Sequence, residues 1–301
     1  MKSTILIAVG IALIAVVGAA QADEVDELIA TLQHDEYAQN RADAAFELGE
    51  TGDSRAVEPL VEALRTETSS DVRGSAVSSL GAFDDNRALQ SITTTIKEDE
   101  NENVRYYAVW ALQNFGDRSV DALIYALDDE SINVRGSAAS VLGALGATKA
   151  TPPLCEMVHN DGDIGLRYNA LDALGSIKDP ASFDCLVEAL SNPITEVKMG
   201  AALALGELGD PRAIPYLNES LSDPNEFVRS DAASAIEAIN APEEAPFPGL
   251  IGGLTLGLAA LFRRKERGCA ASSPRRSPGL ADSPHILLPP HIPNPPQAPR
   301  V

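Results

Sequence analysis

A pattern of three residue types that recurs every 30 to 32 residues constrains this chain more than any other feature. A basic residue opens each unit, an alanine follows three positions later, and a leucine or isoleucine follows four positions after that. The basic column is Arg41, Arg73, Arg105, Arg135, Arg167, Lys198 and Arg229. The alanine column is Ala44, Ala76, Ala108, Ala138, Ala170, Ala201 and Ala232. The third column is Leu48, Leu80, Leu112, Leu142, Leu174, Leu205 and Ile236. Seven aligned copies in three columns predict seven copies of one structural unit.

Each unit predicts two helices. Apolar residues at helical spacing mark a first helix at Leu60 and Leu64 and a second helix at Ala76 and Leu80. The alanine column suits a close approach of two helix backbones. A glycine column is expected to end the second helices or to allow tight turns. Its members are Gly49, Gly81, Gly143 and Gly206. One helix pair has little core of its own, whereas stacked pairs bury a continuous core. The predicted fold class is therefore all-α, an α-α superhelix (solenoid) of about seven two-helix repeats over residues 23–243.

The residues of one repeat resemble a known family. Residues 204–214 read ALGELGDPRAI, which resembles the HEAT-like repeat first described in phycobilisome lyases. The resemblance covers about Val25–Ala241 and implies a HEAT-type array whose second helices line the concave face. Such repeats serve as interaction scaffolds, bilin lyase subunits and metal hydroxylases, so the resemblance is specific for fold and weak for function.

Residues suited to catalysis are scarce. The deoxyhypusine hydroxylases of this family hold two irons with repeated His-Glu pairs, and no His-Glu pair occurs in this chain. The two histidines of the repeat region, His34 and His159, lie four repeats apart. There is no Ser-His-Asp or Cys-His arrangement and no phosphate-binding loop. We predict a protein that is not an enzyme, with no catalytic residue, no metal, no cofactor and no small-molecule substrate.

The N-terminal residues 1–22 have the layout of a secretory signal peptide. Lys2 precedes an apolar run from Ile5 to Val17, which ends in small residues at Ala20 and Ala22. An uncleaved membrane helix is the alternative interpretation. Either one places the repeats outside the cytoplasm.

Residues 244–267 predict a membrane anchor or sorting signal. The uncharged run Phe247–Phe262 is followed at once by a basic cluster, residues 263–267, which would stay cytoplasmic. The layout resembles the C-terminal sorting signals of archaeal surface proteins, the PGF-CTERM type, although Pro-Gly-Phe itself is absent. That resemblance implies cleavage near Pro246–Gly249 and replacement by a lipid anchor; otherwise the segment is a single-pass helix. Residues 268–301 are rich in Pro, Ser and Arg and are predicted to be disordered.

Charge limits the partners of the exported part. Without Lys2, the seven bases from Arg263 onward, Glu266 and Asp282, the 44 acidic and 23 basic residues become 42 and 15, a formal charge near −27. Such a field repels nucleic-acid backbones, so no DNA or RNA partner is expected. The acidic turns recur at one phase of the repeat and predict an acidic edge. That edge suits either a high-salt environment or a basic partner.

One group of residues departs from the periodic background. Where neighbouring repeats have Gly and Ser one, two and five positions after the basic residue, the third repeat has large aromatic residues. We predict a partner-binding site with the residues Tyr106, Tyr107, Trp110, Tyr168, Asn169 and Asp172. Exposed Trp and Tyr are typical of binding hot spots. The alternative is that these rings cover a local packing gap.

The remaining polar and sulfur-containing positions have structural interpretations. The basic column is expected to pair with carboxylates of neighbouring turns and so to form a ladder. Cys155 and Cys185 fall on first helices of adjacent repeats, and we expect buried apolar thiols there because stacked helices lie about 8–10 Å apart. A disulfide is the alternative.

Taken together, these features predict an exported, membrane-anchored surface scaffold that binds a protein or peptide on its concave face. Two further functions stay open. One is a structural component of the cell envelope, and the other is a non-catalytic accessory subunit of an enzyme, such as a lyase-type complex.

Overall fold

The computed structural model describes residues 24–241, and every regular element in that range is helical. Fourteen α-helices within it form seven pairs. The first helices are α1 (residues 24–34), α3 (Val57–Thr66), α5 (Asn86–Glu98), α7 (Val120–Ala126), α9 (Thr151–Asn160), α11 (Phe183–Ala189) and α13 (Ile214–Ser220). The second helices are α2 (Ala38–Thr51), α4 (Ser70–Leu80), α6 (Glu102–Leu112), α8 (Ile132–Ala144), α10 (Ile164–Ile177), α12 (Thr195–Leu208) and α14 (Glu226–Asn240). The predicted all-helical repeat architecture is confirmed.

The predictions for the two ends of the chain concern residues outside this range. The signal peptide at 1–22, the anchor or sorting signal at 244–267 and the Pro-rich tail at 268–301 all lie outside the described residues. Across residues 24–241, no helix combines the length and the hydrophobicity needed to cross a bilayer.

The core is continuous from one helix pair to the next. The leucines of the third column are buried, as at Leu80, Leu112 and Leu142, and its last member, Ile236, is partly buried. The alanine column is buried beside it, as at Ala76 and Ala138. Each pair alone would leave these faces in water, so the repeats stabilise one another through burial of apolar surface.

Three first helices, α3, α11 and α13, begin after an aspartate that caps a short 3-10 turn. Asp179 accepts a hydrogen bond from the backbone N–H of Ala181 at 3.0 Å, and Asp210 accepts one from Arg212 at 2.9 Å. The Asp-Pro pairs at 179–180 and 210–211 thus mark helix starts, with α11 and α13 beginning after the 3-10 turn.

The layer of second helices is the more tightly packed of the two layers. Neighbouring second helices contact each other extensively, whereas neighbouring first helices contact each other much less. A stack of pairs curves toward its more tightly spaced layer, so within residues 24–241 the second helices lie on the inner side of the curve.

The glycine column makes this close packing possible. A Cβ built on Gly143 of α8 would lie 2.9 Å from the Cα of Ala173 in α10, and one built on Gly206 would lie 2.9 Å from the Cα of Ala235. The expectation that these glycines end the second helices is confirmed for Gly81, the C-cap of α4, and is wrong for Gly143 and Gly206. Gly143 and Gly206 lie inside α8 and α12, and α12 ends at the left-handed Gly209 (φ 71°).

Cys155 and Cys185 form a disulfide between α9 and α11, with their Cα atoms 6.0 Å apart. The expectation of two buried thiols is therefore wrong. The expected spacing of 8–10 Å refers to helix axes, whereas the facing residues of two packed helices come closer than the axes. The bond links two neighbouring first helices, which are the more loosely packed layer.

Candidate binding surface on the second helices

Tyr106, Tyr107 and Trp110 form one aromatic cluster on α6. The ring centroids of Tyr106 and Tyr107 are 5.6 Å apart, those of Tyr106 and Trp110 are 6.3 Å apart, and both pairs meet edge to face. All three side chains are half-buried and pack against the core. Edge-to-face pairs stabilise such a cluster beyond the area they bury.

The cluster does not simply face away from the core, as the sequence pattern suggested. Tyr107 lies over Gly74 of α4, where an added Cβ would come within 3.2 Å of its ring. The indole Nε1 of Trp110 is buried and has no hydrogen-bond acceptor among the described residues. The rings therefore fill space between neighbouring second helices while keeping part of their surface in solvent.

A second departure from the repeat lies in the same helix. The position that holds glycine in other repeats is Gln113 here, and α6 ends one residue before it. A 3-10 segment, Gln113–Ser119, follows, and Asn114 donates a hydrogen bond to the carbonyl of Gly81 at 3.1 Å. The contact between α6 and α8 is the least extensive in the second-helix layer. The missing glycine could have been read from the sequence as a sign of this looser joint.

The other predicted site residues lie on α10, separated from the aromatic cluster by α8. Tyr168 packs forward over Gly200 of α12, where an added Cβ would lie 3.1 Å from its ring. Asn169 packs back over Gly136 of α8, and Asp172 is exposed. The six predicted residues thus share one layer of helices but form two separate groups.

Tyr168 and Asp172 belong to a groove that sequence reasoning missed. It crosses α10, α12 and α14, has a volume of about 250 Å³, and is lined also by Leu203, Glu207 and Ala238. We call it the acidic groove. Only the packing of three repeats brings these residues together, because they come from helices about thirty residues apart in the chain.

Glu207 in the acidic groove and Asp231 on α14 have raised pKa values. Burial, and then the charge of Asp172, raises the pKa of Glu207, with Lys178 acting in the opposite direction. Burial also raises the pKa of Asp231, whose Oδ2 atom is buried without a hydrogen-bond donor among the described residues. The pKa of Tyr168 is raised by burial and then by Asp172, Asp231 and Glu207. These groups share a region of negative potential.

The basic column is paired with carboxylates at the turn edge, the line of turns between first and second helices. In five repeats the basic side chain contacts an acidic residue in the turn of the following repeat. The pairs are Arg41–Glu67 at 2.8 Å, Arg73–Asp99 at 2.7 Å, Arg105–Asp129 at 2.7 Å, Arg135–Asp161 at 3.0 Å and Lys198–Asp223 at 2.5 Å. The guanidinium also donates to carbonyls of its own turn, as Arg105 does to Asp99 at 2.9 Å.

The turn carboxylate has a second role within its own turn. Asp129 accepts a hydrogen bond from the backbone N–H of Ser131 at 2.8 Å, and Asp223 accepts one from Asn225 at 2.8 Å. It therefore shapes the turn and neutralises the basic residue of the preceding repeat at once. Hydrogen bonds from Lys198 and from the Asn225 backbone lower the pKa of Asp223.

Two basic residues have no such carboxylate within residues 24–241. At the position that would pair with Arg167, the chain has Asn192, which still accepts from the backbone of Ile194 at 3.0 Å. The hydrogen bond recorded for Arg167 goes from its Nε to the carbonyl of Asp161 at 2.6 Å. Arg229 belongs to the last repeat in the described range, and it donates to the carbonyls of Asp223 and Pro224.

Metal-ligating side chains do not cluster in residues 24–241, where no group of three or more His, Cys, Asp and Glu could hold an ion. His34 is the last residue of α1 and is exposed, and the Nε2 atom of His159 lies 3.8 Å from a carboxylate oxygen of Glu188.

The repeats match a known family model. The model for HEAT repeats matches residues 25–102, 92–164 and 151–237. The chain belongs to the HEAT-repeat family. A HEAT repeat-containing taxis protein of Halobacterium salinarum is 34% identical over 70 residues, which are 23% of this chain and 17% of that relative. The match thus spans about a sixth of the relative's length.

Two solved structures align with this chain at low sequence identity and low TM-score. The CpcE–CpcF complex of phycocyanin lyase from Nostoc sp. PCC7120 is 23% identical, with a TM-score of 0.43, over 71% of this chain and 86% of that chain. Human deoxyhypusine hydroxylase is 20% identical, with a TM-score of 0.37, over 75% of this chain and 99% of that chain.

Proposed function

We propose that this chain is an exported, surface-tethered HEAT-repeat scaffold that binds a protein or peptide partner on its second-helix face and has no catalytic role of its own. The observation that carries the proposal is the aromatic cluster on α6. Its rings occupy positions that hold glycine and serine in the repeats on either side, and they keep part of their surface in solvent. Half-exposed Trp and Tyr on a rigid helix contribute large contact area at low entropic cost.

The buried indole N–H of Trp110 adds to this argument. An unsatisfied buried donor costs about 1–3 kcal/mol, and the cost is recovered if a bound segment reorders the cluster and supplies an acceptor. The family also supports a scaffold, because HEAT repeats build extended inner surfaces from stacked helices.

Export is supported by the disulfide and by the sequence of the two ends. A bond such as Cys155–Cys185 persists in oxidising compartments and is rare in the cytosol. Tethering rests on the apolar run before the basic cluster at 263–267.

Substitution of the aromatic cluster tests the binding role. We expect Tyr107→Ala with Trp110→Ala to weaken partner capture by crosslinking on intact cells about tenfold or more, while the helical circular dichroism spectrum is retained. The matched control replaces two exposed aromatics away from this face, Tyr37→Ala with Tyr125→Ala, and should capture the partner normally.

Other outcomes of this experiment overturn the proposal. Loss of helical structure in the double variant would assign the rings to packing alone. Capture of wall proteins as a lattice, insensitive to the cluster, would indicate a structural envelope component. Capture of a lyase-type enzyme would indicate an accessory subunit.

Mass spectrometry of the mature protein tests export and tethering. We expect a chain that begins after residue 22, carries the Cys155–Cys185 bond without added oxidant, and is recovered with membranes. A cytosolic chain that begins at Met1 with two free thiols would contradict the assignment.

A further inference from the structure

The acidic groove combines an apolar floor with carboxylates that have no basic partner. It is lined by Leu203 and Ala238, by Tyr168, and by Asp172 of α10 and Glu207 of α12. Among residues 24–241, none of Asp172, Glu207 and Asp231 has a basic side chain within salt-bridge distance. Lys178 acts on Glu207 only at longer range.

The arrangement is costly unless something cationic binds. Glu207 reaches back over the backbone of Gly175, where an added Cβ would lie 2.6 Å from its Oε2, and this places its charge near Asp172. Asp231 adds a buried oxygen without a donor. Elsewhere the chain pairs such groups, as Asp99 and Asp129 show with their arginines. At the groove, by contrast, the partly buried carboxylates of Glu207 and Asp231 have no such partner in the described range.

We propose that the acidic groove holds an arginine side chain of the bound partner, with its methylene stem against Leu203 and Ala238 and its guanidinium between Asp172 and Glu207. This inference rests on the proposed function, since it names the partner chemistry for the same helical face. Arginine fits best because its stem covers apolar surface while its planar head donates to two carboxylates. The Tyr168 ring supplies a face for cation–π contact.

A small peptide probe tests the proposal on the full chain. The probe is the peptide Gly-Leu-Arg-Leu-Gly amide, labelled with fluorescein at its N-terminus. The control probe is the same peptide with Gln in place of Arg. Fluorescence anisotropy at about 0.15 M salt, where surface charges are screened beyond about 8 Å, should show the Arg peptide binding about tenfold tighter. Asp172→Asn with Glu207→Gln should remove that difference.

The matched control removes the same charge elsewhere. Glu156→Gln with Glu219→Gln lies on α9 and α13, in exposed positions of the first-helix layer, and should keep the tenfold preference for the Arg peptide. If both double variants lose the preference for the Arg peptide equally, the peptide is attracted to an acidic protein in general. That result would overturn the proposed arginine site in the groove. The groove variant is expected to fold, because Asp172 is exposed and burial disfavours the charge of Glu207.

Two other occupants are outcomes of the same measurement. If the peptide binds only after Arg275→Gln with Arg276→Gln, the chain's own tail fills the groove and the partner assignment is overturned. If the wild type self-associates and the groove variant does not, a second copy fills it, with the same consequence.

Capture on intact cells separates this inference from the proposed function. If the groove variant keeps its partner while the Tyr107→Ala, Trp110→Ala variant loses it, the proposed arginine site is overturned. The proposed scaffold function is then retained. If the wild type captures nothing while the peptide preference persists, the scaffold is overturned and arginine binding stands.

Discussion

Asp223 and Asp231 belong to the same terminal repeat and lie eight positions apart, yet their environments shift their pKa values in opposite directions. Asp223 sits at the turn edge, where hydrogen bonds from Lys198 and the Asn225 backbone lower its pKa. Asp231 sits on α14 near the acidic groove, where burial raises its pKa and one oxygen has no donor. The comparison shows that the fold favours the charged form of a carboxylate in one region and disfavours it in the other.

At the turn edge, acidic charge is part of the fold. Asp99 and Asp129 are almost fully buried beside Arg73 and Arg105, with side-chain exposures between 7% and 9%. At the acidic groove, charge is opposed by the fold and is available for a partner. Net charge alone cannot separate these two cases, because both regions contribute to the same total.

Breaking one buried ion pair at the turn edge should have the largest effect on stability. We expect Arg105→Ala to lower the free energy of unfolding by about 3–5 kcal/mol, because it leaves the buried carboxylate of Asp129 without a counterion. Urea denaturation followed by circular dichroism measures the change. Arg65→Ala breaks an exposed pair with Glu62 and should cost at most about 1 kcal/mol. Equal costs would show that the buried pairing is not special.

Completing the ladder should have a smaller effect of opposite sign. Asn192→Asp would give Arg167 the carboxylate that five other repeats provide, and we expect a gain of about 1 kcal/mol in the free energy of unfolding. The same substitution in an Arg167→Gln background should give no gain, and this double-mutant cycle isolates the pair. A gain that survives the loss of Arg167 would contradict the pairing.

The smallest effect concerns pH. Glu207 and Asp231 have raised pKa values, so the native state holds their protons more tightly than the unfolded state. Their contribution to stability therefore falls as the pH rises past their ordinary pKa values of 4.5 and 3.8. We expect Glu207→Gln with Asp231→Asn to raise the melting temperature at pH 7 by less than about 4 °C and to flatten its decline above pH 4.5.

The turn edge should show the opposite dependence. Asp223 has a lowered pKa, so its contribution is present above its ordinary pKa of 3.8 and is lost as the pH falls through the lower native value. Asp223→Asn should therefore lower the melting temperature at pH 7 and have little effect in strong acid. The same pH profile for both variants would remove the distinction between the two regions.

Much of the fold could be predicted because it depends on local periodicity. The columns that contain Arg105, Ala108 and Leu112 mark the second helices, and the structure places their alanines and leucines in the core. The unusual aromatic residues of the third repeat were also visible in the sequence. The replacement of the column's glycine by Gln113 was visible there too, but it was not used in the prediction.

Other features could not be read in this way. The Cys155–Cys185 bond depends on how closely two facing side chains approach across a helix interface, and the average spacing of helix axes pointed to the wrong answer. The glycines were assigned to helix ends because glycine is common there, while Gly143 and Gly206 lie where two backbones meet.

The sequence by itself determined the repeat unit, its number and its two-helix form, because hydrophobic periodicity acts over a few neighbouring residues. Only the tertiary structure decided which carboxylates are paired and which are not, since each pair joins residues 24 to 26 positions apart across a repeat boundary. The energy of a charge depends on its burial and on its nearest counterion, and both are properties of the stacked repeats rather than of any one of them.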